Sequence, residues 1–567
     1  MVRLLAVISL LMLLAGCGGG ESSAAPAPSG IGIGGRVTFD RVPVVAGEGL
    51  AYDETTPQPA RGVTVELVQG TTVLASTTTD AAGNYAFGNV AMNTDVALRV
   101  RAEMLRVGTP SWDFKVVDNV NNEALYTLAG AVFNTGTSDV TRNLHAESGW
   151  TGAAYTAPRS AAPFAILDVA YDAVQLILTA ASDTAFPALE FHWSTANVPV
   201  AGPGAGEIGS TRFRPSVGIL LVGAADQDTD EYDRHVIAHE LGHYLEHSFS
   251  RSDSIAGPHA LSHQLDMRVA FGEAWGSAFA AMALGDSIYV DTHSAGQALA
   301  FSFDLEQTPN RNNPNPGWFS EESLQSLLFD LYDNGRDVPP GTFVVDDLEL
   351  GFAPLWEAFV GELRTTHALT SVFPFVHALK SAHPAEAPLI DSLTTSQRIA
   401  AVTDEYGTGQ NNFGNPAGRT PEEVFLDFNT VYDTLTVGAT LENVCSLDDY
   451  NTIPPFGGEN KLASRRFVRF TVANPGVHTI TARARAPINA AADPDLVLHF
   501  GAEKIASEGE SACSVSTPES CVETFSPTLE AGDYVLEVYE WTNTNPIDDP
   551  VYPPIGRTCF DVTVTRP

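Results

Sequence analysis

Apolar and polar positions alternate with a period of two over five short stretches near the start of the chain, at 36–39, 63–68, 72–78, 85–87 and 96–101. Turn-forming clusters such as Asp80-Ala81-Ala82-Gly83-Asn84 separate them. Such alternation puts one face of each strand in a core and the other in water, and it predicts a small β-sandwich over 31–105. Residues 106–160 add strand patterns at 113–117 and 124–128 as a connection to the central region. The period then changes. Residues 161–181 are apolar at helical spacing, 188–193 and 217–222 read as strands, and 232–247, 268–284, 321–332, 355–366 and 395–402 read as helices. An α+β body is therefore predicted over 161–433. Past 434 the alternation returns, at 466–472, 477–483, 495–500, 533–539 and 559–564, so a second β-sandwich is predicted over 434–567.

A length of 567 residues suits this multidomain layout at about 150 residues per domain. Hydrophobic residues make up 44% of the chain and charged ones 17%, which favours packed cores over disorder. The 69 acidic residues against 30 basic give a net charge of −39, so approach to a phosphate backbone is electrostatically uphill and nucleic acid is excluded as a partner. A monomer is expected. Four of the five cysteines, Cys445, Cys513, Cys521 and Cys559, fall in the last predicted module and read as two disulfides. Three pairings are open. Cys513 with Cys521 across a short loop and Cys445 with Cys559 near the module's ends is the simplest, and no C-x-x-C spacing supports a cysteine zinc site.

The first residues form an export signal: one cation at Arg3, an apolar run over 4–14, then small residues. Leu14-Ala15-Gly16-Cys17 resembles the lipobox of bacterial lipoproteins. That resemblance implies removal of 1–16 and lipid on Cys17, with a membrane as partner through that residue. Gly18 after the cysteine implies an outer-membrane or cell-surface destination. Residues 17–30, rich in Gly, Ser, Ala and Pro, read as a flexible tether, and no later stretch is predicted to span a membrane. The run Thr79-Asp80-Ala81-Ala82-Gly83-Asn84-Tyr85-Ala86-Phe87 resembles carboxypeptidase-regulatory-like, or transthyretin-like, domains, which implies a spacer or adhesive module. Segments 466–484, 495–500 and 529–539 resemble bacterial pre-peptidase C-terminal domains.

The candidate chemistry lies in the body. His239-Glu240-Leu241-Gly242-His243 is an H-E-x-x-H run inside a predicted helix that comes after a predicted strand and an acidic loop. Histidines four apart on a helix are rotated by about 40° and offset by about 6 Å, so both imidazoles reach one ion, and zinc suits that bite. Glu240 is placed to act on a water rather than to bind the ion. A catalytic zinc takes a third protein ligand. Glu246 and Phe249 stand where a metzincin needs Gly and His, and His247 is too far along the axis. His259, His263 and Asp266 read as ordinary exposed residues of a polar loop. Glu273 lies in a small-residue apolar helix, where an ionised carboxylate is costly without a cation, and it is the expected third ligand.

H-E-x-x-H followed by a Glu on a second helix resembles the gluzincin metallopeptidases, and Gly272-Glu273-Ala274-Trp275 resembles the fungalysin branch. Thermolysin-like enzymes have a shorter gap between the second His and the Glu. The resemblance covers about 160–430 and implies a zincin-like α+β body, with His239, His243 and Glu273 binding one zinc and Glu240 as general base. Two positions depart from the pattern. Relatives carry an Asp four residues after the Glu ligand, where this chain has Ser277. The segment Gly317-Trp318-Phe319-Ser320-Glu321-Glu322-Ser323 lacks the His or Tyr that relatives bring to the oxyanion, which leaves Tyr332, His367, His377 and Tyr406 as candidates. The Gly-Ala-Met-Glu-Asn run of gluzincin aminopeptidases is absent, which favours endopeptidase action.

The expectation is a lipid-anchored zinc metalloendopeptidase acting on protein or peptide substrates, with 209–222 as an edge for substrate pairing. The alternative is a non-catalytic adhesin or ligand-binding lipoprotein with a degenerate peptidase body; a hydrolase of another bond is a third option. Asp226, Asp228, Asp230 and Asp233 make an oxygen-rich loop able to hold calcium, though without the Gly and Glu of an EF-hand. The same acids also suit a helix start.

Overall fold

The strand Ile31–Arg41 (β1) exposes and buries residues in turn, with Ile33, Val37 and Phe39 inward. The computed structural model describes residues 30–306, 315–333, 348–410, 430–447, 459–485, 492–501, 503–508, 521–544 and 554–567. The predicted signal, Cys17, nearly all of the predicted tether and Cys513 lie outside them. After β1 come Val63–Gln69 (β2), Thr72–Thr78 (β3), Asn84–Val90 (β4), Asp95–Arg106 (β5) and Trp112–Asp118 (β6). β4 pairs antiparallel with β1 in one sheet, while β3, β2, β5 and β6 are neighbours in another.

That second sheet runs on through the predicted boundaries at 105 and 160. Leu189–Trp193 (β7) adds in parallel to β6, and Gly218–Leu221 (β9) adds in parallel to β7. Arg212–Arg214 (β8) closes the edge beside β9. The N-terminal strands thus share a hydrogen-bonded sheet with the body, because β6 offers its second edge to β7. The helix Ala162–Ala180 (α1) lies on this sheet and is fixed by Arg61, whose guanidinium meets Asp168 at 2.5 Å and Asp172 at 2.8 Å. By length and composition α1 is long and apolar enough to cross a membrane, contrary to the reading of the sequence, but 67% of its apolar window is buried inside the protein. One continuous apolar core joins β1, β2, β5, α1 and the helices of the body.

Those helices are Arg234–Phe249 (α2) and Met267–Leu284 (α3), then, after the hairpin Ile288–His293 (β10) and Leu299–Asp304 (β11), Glu321–Asp330 (α4). Asp266 caps α3 by accepting from the Arg268 amide, and Gly285 ends it at φ 61°. Ser320 caps α4. Helices Phe352–Val360 (α5), Val372–Ala382 (α6) and Ala387–Ser396 (α7) add to this core. The helix predicted at 395–402 instead ends at Ser396, where the Ile399 amide turns back to the Thr394 carbonyl and Arg398 takes φ 58°.

The C-terminal module is a β-sandwich. One sheet holds Tyr432–Thr434, Arg465–Val472, Gly532–Glu540, Pro494–Phe500 and Glu503–Glu508, and the other holds Thr440–Ser446, Thr558–Thr565, Thr479–Ala484 and Val522–Phe525. Inward residues such as Val468, Phe470, Leu536, Phe560 and Val562 fill it. Cys445 and Cys559 face each other on paired strands and form a disulfide.

Candidate metal centre

α2 and α3 cross at two glycines. A Cβ on Gly242 would stand 2.9 Å from the Gly276 Cα, and one on Gly276 would stand 2.8 Å from the His239 ring. Bare backbone at the crossing therefore lets α3 approach the face of α2 that carries His239 and His243. The His239 and His243 Nε2 atoms are 3.0 Å apart, and Glu273 Oε2 lies 3.3 Å from the first and 3.4 Å from the second. An ion held tetrahedrally by bonds of about 2.0–2.1 Å sets its donors about 3.3 Å apart, so two imidazoles and one carboxylate at this spacing fit zinc. Burial opposes charge here. The Glu273 carboxylate nevertheless raises His243 well above the usual imidazole range, and His243 and His259 hold Glu273 well below the usual carboxylate range.

The groups behind the donors are also in place. His239 Nδ1 is 3.2 Å from Ser277 Oγ, so Ser277 touches the His239 ring. His243 Nδ1 is 3.9 Å from buried Glu246, one helical turn on. Partners of this kind fix imidazole orientation. Glu240 is buried at the cavity wall, and its Oε2 accepts from the Phe213 amide of β8 at 2.6 Å. Asp233 does not cap α2 through its own side chain. Its carboxylate instead accepts from the Thr292 amide at 2.9 Å and from the Thr292 hydroxyl, which ties β10 to the start of the helix.

A cavity of about 1210 Å³ opens beside these groups. None of Tyr332, His367, His377 or Tyr406 lines it. Tyr332 packs on Phe329, His367 against the sandwich at Asp533 and Phe500, and Tyr406 on Tyr432. His259 does line it, which corrects the reading of that loop as merely exposed. Its Nε2 lies 3.5 Å from Glu273 and 3.6 Å from Glu321. Burial lowers the imidazole, but the Glu273 and Glu321 carboxylates outweigh it and push it up to about 10. His263 is buried and held down at about 4 by burial and by nearby Lys461, while Asp266 caps α3. Tyr289, stacked on Phe303 at 4.7 Å, also lines the cavity. Tyr289 and Asp291 lie outside the strands predicted from the sequence, although Ile288-Tyr289-Val290 and Phe301-Ser302-Phe303-Asp304 are rich in strand-forming residues. In the acidic loop, Asp228 and Asp230 meet Asp291 with one oxygen from each within 4.8 Å of the others, whereas Asp226 is exposed and Asp233 is engaged by Thr292.

No family model matches the chain, and no curated protein matches it. Among solved structures, it is similar to the pre-peptidase C-terminal domain of a collagenase from Bacillus anthracis, with 13% identity and a TM-score of 0.15 over 24% of this chain and 93% of that one. It is also similar to a beta-glucosidase from Paenibacillus barengoltzii, with 12% identity and a TM-score of 0.13 over 33% of this chain and 17% of that one. Both TM-scores are too low to carry an argument about fold or chemistry.

Proposed function

We propose that the chain is a zinc metalloendopeptidase of the gluzincin type, with a zincin-like body, held at the outer membrane or cell surface through a lipid on Cys17. The observation that carries this reading is the convergence of His239, His243 and Glu273 from two helices at the spacing of zinc ligands. A bound zinc supplies Lewis acidity, polarising a carbonyl and making water acidic near neutral pH.

The chain's own residues do the rest. Glu240 takes the proton of the attacking water and passes it to the leaving amine, and the Phe213 amide holds its carboxylate in position meanwhile. Ser277 and Glu246 keep the two imidazoles aimed. His259, whose ring lines the cavity 3.5 Å from Glu273, is placed to offer an imidazole N–H to negative charge developing on the carbonyl oxygen. β8, at the sheet edge, offers backbone groups to an extended peptide. The adhesin alternative draws its support from a missing oxyanion donor, and His259 at the cavity is the candidate for that role that weighs against it.

Metal analysis with a protease assay tests the reading. One zinc per chain is expected, lost in His239→Ala and in Glu273→Ala. Glu240→Gln is expected to keep the zinc while casein cleavage falls by about 10²–10⁴-fold. Casein cleavage that survives Glu240→Gln, or a full zinc complement without His239, would sink it.

A further inference from the structure

The cavity beside the three donors is walled by carboxylates. Asp228 and Asp230 come from the loop before α2 and Asp291 from β10, and Asp304 and Glu322 also line it. No Lys or Arg is among the described lining residues. Asp230 is buried, with the Thr211 hydroxyl donating to it, and Asp228 Oδ1 is shut off from solvent with no hydrogen-bond partner. Glu321 adds to the acidic lining at the end of the cavity nearest the three donors. It is 5% exposed, it lines the same cavity, and its Oε2 accepts no hydrogen bond, with His259 Nε2 the nearest cationic group at 3.6 Å. Carboxylates are not buried together at low cost without a compensating cation. Burial and the neighbouring Asp228 push Asp291 up to about 7.

Beside the acids is an aromatic floor. Phe301, 47% exposed, sits directly across the hairpin from Asp291, and Phe303 stacks on Tyr289. Exposed ring faces next to carboxylates suit a long aliphatic stem that ends in a positive charge. We propose that this cleft selects cationic peptides, seating a Lys or Arg side chain with its charged head among Asp228, Asp230 and Asp291 and its stem on Phe301. The inference rests on the peptidase reading only in taking the cation from a peptide. The acidic field of the chain, at −39 overall, favours the same class of partner.

Binding to the full chain carrying Glu240→Gln and loaded with zinc provides the test. Three fluorescent peptides of equal length, alike except for a central pair of Arg, Gln or Glu, are compared by anisotropy. The Arg peptide is expected to bind at least about tenfold tighter than the Gln peptide, and the Glu peptide weakest. The preference is expected to shrink in about 0.5 M salt and in Asp291→Asn, with Asp228→Asn as a second variant and circular dichroism checking that both fold. Equal affinity for the three peptides overturns the proposal, as does an Arg preference that survives both substitutions. Saturable binding of calcium alone that abolishes the preference also overturns it, because the carboxylates then hold a metal. Failure of the peptidase reading looks different, since the wild-type chain would cleave none of the peptides while anisotropy still reports whether they bind.

Discussion

Gly276 matters through what it lacks. A methyl group there would stand 2.8 Å from Cε1 and Nδ1 of His239, and the ring cannot back away without leaving Ser277 on one side or Glu273 on the other. Gly276→Ala therefore sets helix propensity, which favours Ala by about 1 kcal/mol, against the position of a ligand. We expect zinc affinity to drop by about 10–100-fold in a chelator competition, with the helix content of the apoprotein unchanged. Unaltered affinity would show that the close crossing of α2 and α3 does not set the ligand geometry. At this scale the sequence is informative where chemistry repeats along one helix. His239, Glu240 and His243 are periodic on α2, and Glu273 stands out as a charge in an apolar run. His259 is not legible, because nothing local distinguishes a loop histidine facing two carboxylates from one facing water. Glu246 could be found from its i,i+3 spacing to His243.

Elements are legible as types and less so as neighbours. Alternation marks the strands of both sandwiches, but no local pattern says that β6 keeps a free edge for β7, so a boundary predicted at 105 cuts through a continuous sheet. The hairpin β10–β11, which carries Tyr289, Asp291 and Phe301, is signalled only by the short runs Ile288-Tyr289-Val290 and Phe301-Ser302-Phe303-Asp304, too brief to stand out beside the long helical stretches around them. The join between the body and the C-terminal sandwich is similar. The segment 459–462 runs beside the loop that bears His259: Asn460 donates to the Ala256 carbonyl at 2.9 Å, Lys461 Nζ to Pro258 at 3.0 Å, and the Leu462 amide to Gln264 at 3.0 Å. Arg268, one residue into α3, is buried against Glu537 of the sandwich at 3.0 Å. The sandwich thus braces both the His259 loop and the start of the Glu273 helix. Lys461→Met keeps the stem and removes the donor. Its expected effect is a fall in kcat of about tenfold with zinc content unchanged, since the ammonium donates to the Pro258 carbonyl and to Asn460 Oδ1, each bond being worth about 1 kcal/mol, and these contacts hold the loop that bears His259. Loss of zinc along with activity would mean that the contact supports the whole fold instead.

Taken as a whole, the molecule stores acid groups in places that resist their charge. Burial raises Asp291, Glu322, Asp495 and Glu540 each to about 7, with neighbouring carboxylates adding to the effect. Unfolded, the same side chains titrate near about 4. Between those values the folded chain binds more protons than the unfolded one, so stability falls as pH rises through that window. Two groups act the other way. Glu273 and Glu537 are buried yet held well below the usual carboxylate range, the first by His243 and His259, the second by Arg268, His499 and Arg465, so their contribution is present above about pH 4 and is lost on further acidification. The two tendencies meet in mildly acid solution. In the presence of chelator, the thermal midpoint of the full chain is expected to be several degrees higher at about pH 5.5 than at about pH 8, and to fall again below about pH 4. General repulsion among charges summing to −39 adds to the decline on the alkaline side and is screened by salt. Scans at low and at high ionic strength separate the two causes, because buried groups are screened much less than surface ones. A midpoint that stays flat from about pH 5.5 to about pH 8 in high salt would show that the buried carboxylates are already paired with cations, and calcium or an organic cation added at about pH 8 should then leave the midpoint unmoved.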